Sequence, residues 1–325
     1  MKSLKKVLAA AIVLTAGLSL PAMAQDAWPA KSFKVVVPYP AGGSADLVGR
    51  LVAKSVSDKF GKPAVVENIS GGGTIPGSMA VLKEPADGYV LYMASDNTLN
   101  INGFLMKTIP YDGDKDFTPI TVVNNYPHWL IIKKDGKHKD FAGFVKYIKE
   151  NPGKASISVN TIGGAAYLAL SKWRQENNLK FEIVPYRGSP PAVTDLIGGH
   201  TDAHIDVVGS SIGHARSGKV EPIAVLQSTP LKEFPQAVTQ SYDDPKALTV
   251  RSNLSVVVKS GTPDAIIEKL YQAIKEGAQT KEFVEALATL SYDAILTPPA
   301  EAQAFVRAET VRYGKLVEAS GLEKQ

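Results

Sequence analysis

Residues 35–49 read VVVPYPAGGSADLVG, and residues 156–170 read SISVNTIGGAAYLAL. Each is an aliphatic run, a short turn, two adjacent glycines, small residues and then a helical pattern. The arrangement predicts a strand that passes through a tight turn into a helix. Paired glycines let backbone approach another surface closely, and the first turn of a helix carries N–H groups without intrahelical partners. Two such turns, about 120 residues apart, suit two facing lobes. They equally suit any α/β chain, which contains several glycine-bearing strand-to-helix turns.

Outward from these turns, short aliphatic runs alternate with helical patterns, the signature of mostly parallel α/β sheets. The predicted strands are FKVVV (33–37), AVVEN (64–68), YVLYM (89–93), ITVV (120–123) and WLIIK (129–133). They continue with SISV (156–159), FEIV (181–184), AHIDVV (203–208), PIAVL (222–226) and LSVVV (254–258). In 45–60, Leu47, Val48, Leu51, Val52 and Val56 recur at helical spacing until Gly61 and Pro63 stop the pattern. Phe141, Phe144, Val145 and Ile148 do the same behind the cap Asp140. Thr262-Pro263-Asp264 reads as a cap, a first-turn proline and a first-turn acid, and Pro299 to about Ala319 as a final long helix.

The N-terminus predicts export. Lys2, Lys5 and Lys6 precede the apolar run Val7–Leu20, and Ala22 and Ala24 form an A-x-A cleavage pattern. That order describes a secretory signal over 1–24, removed before Gln25. Of 36 basic and 32 acidic residues, three lysines and no acid lie in the signal, so the mature chain carries a net charge of +1. Neither nucleic acid nor a membrane surface is expected as a partner. The chain has no cysteine, so its core must hold it without disulfides, and no lipid-anchoring cysteine is present. A mature length of 301 residues is near the size at which one core divides into two.

Helix N-termini favour anions. Neither glycine turn carries the spacing of a nucleotide loop, so a compact carboxylate is the expected ligand rather than a phosphate. The third glycine turn, SGGGTIPG at 70–77, is assigned to structure or to the rim of the cleft. In HTDAHID, His200, Asp202, His204 and Asp206 alternate and would share one strand face. They offer a metal-assisted hydrolase as the alternative function; otherwise Ile205 and Val207 face the core and the polar set lines a cleft or meets solvent. Ser44 reads as a helix N-cap rather than a nucleophile, and His128 as a packed or surface histidine. No cofactor and no metal are expected, and no catalytic residue is assigned.

Taken together, VVPYPAGGSADLVGRLVA (36–53), VVENISGGGTIPG (65–77), PADGYVLYMAS (85–95) and IPYDGDKDFTPIT (109–121) carry a resemblance that VPYRGSPPAVTDLIGGH (184–200), Asp206 and SGTP (260–263) extend. The chain resembles the tripartite tricarboxylate transporter receptors, the Bug-type periplasmic solute-binding proteins, over nearly its whole mature length. The resemblance implies a type II periplasmic-binding-protein fold: two α/β lobes with a ligand cleft, joined by two crossing hinge strands. It implies lobe 1 at 25–124 and 252–325, lobe 2 at 125–251, and hinges near 124–127 and 249–253. The implied function is capture of a mono-, di- or aromatic carboxylate in the periplasm by a monomer, and its delivery to membrane permease subunits.

By position, the resemblance assigns one pincer to the first turn, with Tyr39, Pro40, Ala41, Gly42, Gly43, Ser44, Ala45 and Asp46. The other is Asn160, Thr161, Gly163, Gly164, Ala165 and Ala166. Ser95, Asn97 and Thr98 should line the first lobe's side of the cleft, and Tyr186, Arg187 and Asp206 the second's. Where family members often carry an aromatic pair, this chain reads Arg251-Ser252-Asn253-Leu254, which offers Arg251 or Asn253 as a polar contact.

Overall fold

Two sheets organise the body that begins at Lys31. The computed structural model describes residues 28–292 and 294–324; the export signal and its cleavage before Gln25 lie outside the described residues. The strands are β1 (Phe33–Val37), β2 (Ala64–Asn68), β3 (Val90–Ser95), β4 (Phe117–Tyr126), β5 (His128–Lys133) and β6 (Ser156–Val159). They continue as β7 (Glu182–Pro185), β8 (Ala203–Val207), β9 (Val220–Val225), β10 (Val238–Thr239) and β11 (Ser252–Lys259). The helices are α1 (Ser44–Phe60), α2 (Ile75–Leu82), α3 (Asn102–Leu105), α4 (Phe141–Glu150) and α5 (Ala165–Glu176). After them come α6 (Ser189–Gly198), α7 (Val208–Arg216), α8 (Asp264–Gly277), α9 (Lys281–Thr289) and α10 (Pro299–Ser320).

One sheet has the order β2-β1-β3-β11-β4, the other β10-β9-β5-β8-β6-β7. Most neighbours are parallel; β11 runs antiparallel to β3 and β4, and β5 antiparallel to β8 and β9. The chain crosses between the sheets where β4 leads through Pro127 into β5, and it returns into β11. The two crossings lie side by side, since Ser252 pairs with Tyr126. This is a mixed α/β fold of two lobes with a cleft.

Local chemistry explains the elements. In β1 the valines are buried on both faces, as expected of a parallel strand covered by helices on each side. Val48, Val52 and Val56 form the buried stripe of α1, which ends at left-handed Gly61. Asp140 caps α4, accepting the Gly143 N–H at 2.7 Å. The second sheet's core gathers Leu130, Ile157, Val159 and Ile205 around Phe144 and Trp173.

Several local expectations are corrected. Ser44 is the first residue of α1, and its N-cap is Gly43 with no side-chain cap. Pro263, not Thr262, is the N-cap of α8; the Thr262 hydroxyl donates to the Lys259 carbonyl at 2.8 Å. In β8 all five residues are buried, because the strand is flanked by β5 and β6, so alternation there does not separate core from solvent. The short β10 carries no aliphatic run long enough to stand out.

Candidate functional site

At the carboxyl ends of β1, β3, β6, β7 and β8, and at the two crossings, residues converge on a cavity of about 100 Å3. That is where open α/β sheets bind ligands, because strand-to-helix turns there leave backbone groups free. Both glycine turns reach it. Gly42 (φ +82°) and Gly163 (φ +66°) are left-handed, and each is followed by an extended N-cap glycine: Gly43 at φ −76°, ψ 166°, and Gly164 at φ −73°, ψ 175°. The sequence echo is thus a backbone echo.

Of the residues expected from sequence, Tyr39, Pro40, Gly43, Ser44 and Ala45 line the cavity from the first turn. Asn160, Thr161, Gly164, Ala165 and Ala166 line it from the second, with Ser95, Asn97 and Asn253 beside them. Ala41 and Gly42 are exposed at the tip of the first turn, and Gly163 is buried against Leu105. Thr98 is buried behind the wall, its hydroxyl 2.8 Å from that of Thr74; the Gly72–Thr74 turn does not line the cavity, so the third glycine turn is structural.

Four charged or phenolic candidates stand elsewhere. Asp46 lies under its turn, accepting from the Gly42 N–H (2.9 Å), Arg50 Nε (3.1 Å) and Asn68 Nδ2 (3.0 Å). Burial opposes its ionisation, but those donors hold its carboxyl below the usual range. Tyr186 donates to Asp195 at 2.6 Å; burial, then that carboxylate, pushes its phenol up to about 12. Arg187 is exposed and does not line the cavity. Arg251 lies outside it too, with its guanidinium 4.9 Å from the centre of the Tyr242 ring.

Asp206 also sits one layer behind the wall. It is fully buried, and its oxygens accept from Asn160 Nδ2 (2.8 Å), the Val207 N–H (2.8 Å) and Ser189 Oγ (2.6 Å). Burial works against its ionisation, but nearby His204, Asn160 and Ser189 outweigh it, and the carboxyl lies below its usual range. Asn160 and Ser189 do line the cavity, so Asp206 positions two wall residues and touches no open space. The metal alternative fails on the same geometry. His200 is exposed, whereas His204 is buried with Nδ1 2.9 Å from Ser158 Oγ. Among the described residues no three His, Asp or Glu side chains are grouped to hold a metal.

Sequence reading missed Asp96, Tyr126, His128, Gly188, Ser189, Pro190, Val207, Ser210 and Ser252, all of which line the cavity. One signal was available: Gly-Ser-Pro after β7 repeats the strand–glycine–helix form, and Gly188 sits at φ +120° with a Cβ position 3.0 Å from Pro40. Tyr126, His128 and Ser252 come from the crossings, which no local pattern marks. Burial depresses the His128 imidazole to about 4, so it is neutral, and its Nδ1 donates to the Tyr126 carbonyl at 3.1 Å.

The wall mixes apolar surface with polar side chains but, among the described residues, holds no lysine or arginine. Asn97 Nδ2 and Asn160 Oδ1 are buried without a hydrogen-bond partner, which buried amides rarely tolerate. No partner among the described residues takes the N–H groups of Gly164, Ala165 or Ala166. Unspent donors at a helix N-terminus, in a pocket whose only acid among the described residues is Asp96, are suited to an anion.

Residues 48–322 match the family described as tripartite tricarboxylate transporter family receptor. The protein BugT of Bordetella pertussis is 31% identical over 310 residues, which cover 95% of either chain. Among solved structures, the periplasmic binding protein BugD superimposes with a TM-score of 0.85 at 27% identity, covering 92% of this chain and all of that one. Rpa4515 of R. palustris, solved with adipate, gives a TM-score of 0.84 at 25% identity over the same shares.

Proposed function

Given that this chain belongs to the tripartite tricarboxylate transporter receptors, we propose that its cavity captures a small carboxylate for delivery to membrane permease subunits. The observation that carries this is the set of unspent N–H groups at Gly164, Ala165 and Ala166, beside the unpartnered Asn97 amide. They supply donors for a carboxylate without a buried cation, whose desolvation would be costly. The adipate held by Rpa4515 supports the ligand class.

In this reading the lobes are 25–124 with 252–325, and 125–251, hinged near 124–127 and 249–253. The mature protein begins at Gln25, works in the periplasm as a monomer and performs no chemistry on its ligand. The test is a thermal-shift screen against a panel of mono-, di- and aromatic carboxylic acids, with and without EDTA. A ligand at 100 times its Kd stabilises by about 2.7 kcal/mol. The expected result is a shift by at least one carboxylate that EDTA leaves unchanged and Gly164→Val abolishes. Silence across the panel, or a shift that Gly164→Val leaves intact, would overturn the proposal.

A further inference from the structure

Asp96 follows β3 directly, is 6% exposed and lines the cavity. Its Oδ2 accepts from the Asn253 N–H at 2.7 Å and from the Tyr313 hydroxyl at 3.0 Å, and neither bond uses Oδ1. It is the sole carboxylate on the wall among the described residues, where the other ionisable side chains are Tyr39, Tyr126 and His128. All three are neutral: burial raises both phenols and depresses the imidazole. The nearby Arg312 guanidinium is engaged by Glu309, at 2.6 Å to Oε2 and 2.9 Å to Oε1. The cavity therefore holds one acid, no cation and an array of anion-suited N–H groups.

An anionic ligand without a positive group would bring like charge to Asp96, in surroundings where such pairs are poorly screened. A zwitterion satisfies both ends, with its carboxylate on the N–H groups of the α5 turn and its cation on Asp96. We infer that Asp96 is a specificity-determining residue, and that the captured molecule carries an alkyl-ammonium group beside its carboxylate. This rests on the cavity being the carboxylate site and narrows its ligand class.

The inference predicts a pH profile of known sign. Burial, the dominant influence, pushes Asp96 up to about 7. The groups facing it are Glu309, Arg312 and Tyr313 from α10, the Asn253 N–H from β11, Tyr39 from the first turn and Tyr126 from β4. An ammonium binds the ionised form, so affinity is full above about 7 and falls towards tenfold per unit below it. Between about pH 5.5 and 8 the ligand's own carboxylate and alkyl-ammonium keep their charges, and His128 stays neutral.

The experiment is isothermal titration with matched pairs, each an α-, β- or γ-aminocarboxylate beside its desamino carboxylate, with adipate as a dianion. For at least one pair the amino member should bind at least tenfold tighter at pH 7.5 and weaken as the pH falls to about 5.5. D96N should reduce that preference below about threefold, its ligand-free Tm reporting whether it folds; the wild-type pH profile needs no variant. The inference is overturned if no amino-bearing probe binds, if desamino acids or adipate bind as tightly, or if affinity rises on acidification. Gly164→Val separates the two failures: binding it abolishes belongs to this cavity whatever Asp96 does, and binding it spares removes the cavity reading itself.

Discussion

The first and second glycine turns share one backbone form but not one environment. An added Cβ at Gly43 would meet nothing nearer than the Pro40 carbonyl at 3.4 Å. At Gly164 it would meet Thr161 Cγ2 at 2.6 Å and Asn97 Oδ1 at 3.0 Å, and at Gly163 it would meet Leu105 Cδ1 at 2.6 Å. The donors differ as well. In the first turn the Gly42 N–H is spent on Asp46 and the Ser44 N–H on Ser210 Oγ, at 2.9 and 3.1 Å. In the second, Gly164 and Ala165 keep theirs, while the next N–H along, of Ala45 or Ala166, is unspent in both turns. A repeat in sequence thus encodes a repeat in backbone, while the surface packed against each copy decides which one holds the ligand.

The largest effect is expected at Gly164. Overpacking of this kind costs about 1–3 kcal/mol, and here it also fills the cavity. Gly164→Val should lose at least about a hundredfold in affinity by isothermal titration, while Gly43→Ala keeps it within about fivefold. Comparable losses at the two positions would erase the asymmetry. Next comes Asp206, whose removal strands the donors of Asn160, Ser189 and Val207. Asp206→Ala should weaken every ligand alike, by about 1–3 kcal/mol, because the carboxylate orients the wall and selects nothing. A loss confined to ligands bearing an extra donor would show instead that Asp206 reaches the ligand.

Asp46 sharpens the comparison through stability rather than affinity. Its folded carboxyl lies below the ordinary 3.8, so its contribution is present above that value and disappears as pH falls through the folded one. Between about pH 5 and 2.5, wild type should lose more stability than Asp46→Ala in urea titrations. Parallel losses would mean the first turn does not depend on this anchor. The smallest effect belongs to Ser210→Ala, which frees the Ser44 N–H; affinity should change by less than about threefold. A loss beyond tenfold would place Ser210 on the ligand.

The ten strands expected from sequence all exist, because short aliphatic runs stand out against amphipathic helices. That holds whether they are buried on both faces, as in β1, or half-exposed at sheet edges, as in β2 and β7. The turns were legible for a related reason, since left-handed Gly42 and Gly163 leave a mark in composition. Asp96, Tyr126, His128 and Ser252 were not legible. They meet only because β11 inserts between β3 and β4, pairing Leu254 with Ser95 and Ser252 with Tyr126, and local periodicity carries no trace of that pairing. Asp206 shows the converse error: its strand was readable, but its depth depended on β5 and β6 on either side.

The central claim is that unspent N–H groups at the second turn hold the carboxylate, with the first turn closing opposite. Amide hydrogen exchange with and without a saturating carboxylate from the thermal-shift screen tests it residue by residue. The account predicts the largest new protection at Gly164, Ala165 and Ala166, a smaller gain at Ala45 and Asp46, and little change at Ser44, already bonded to Ser210. Protection that appears elsewhere while 164–166 exchange unchanged would contradict it.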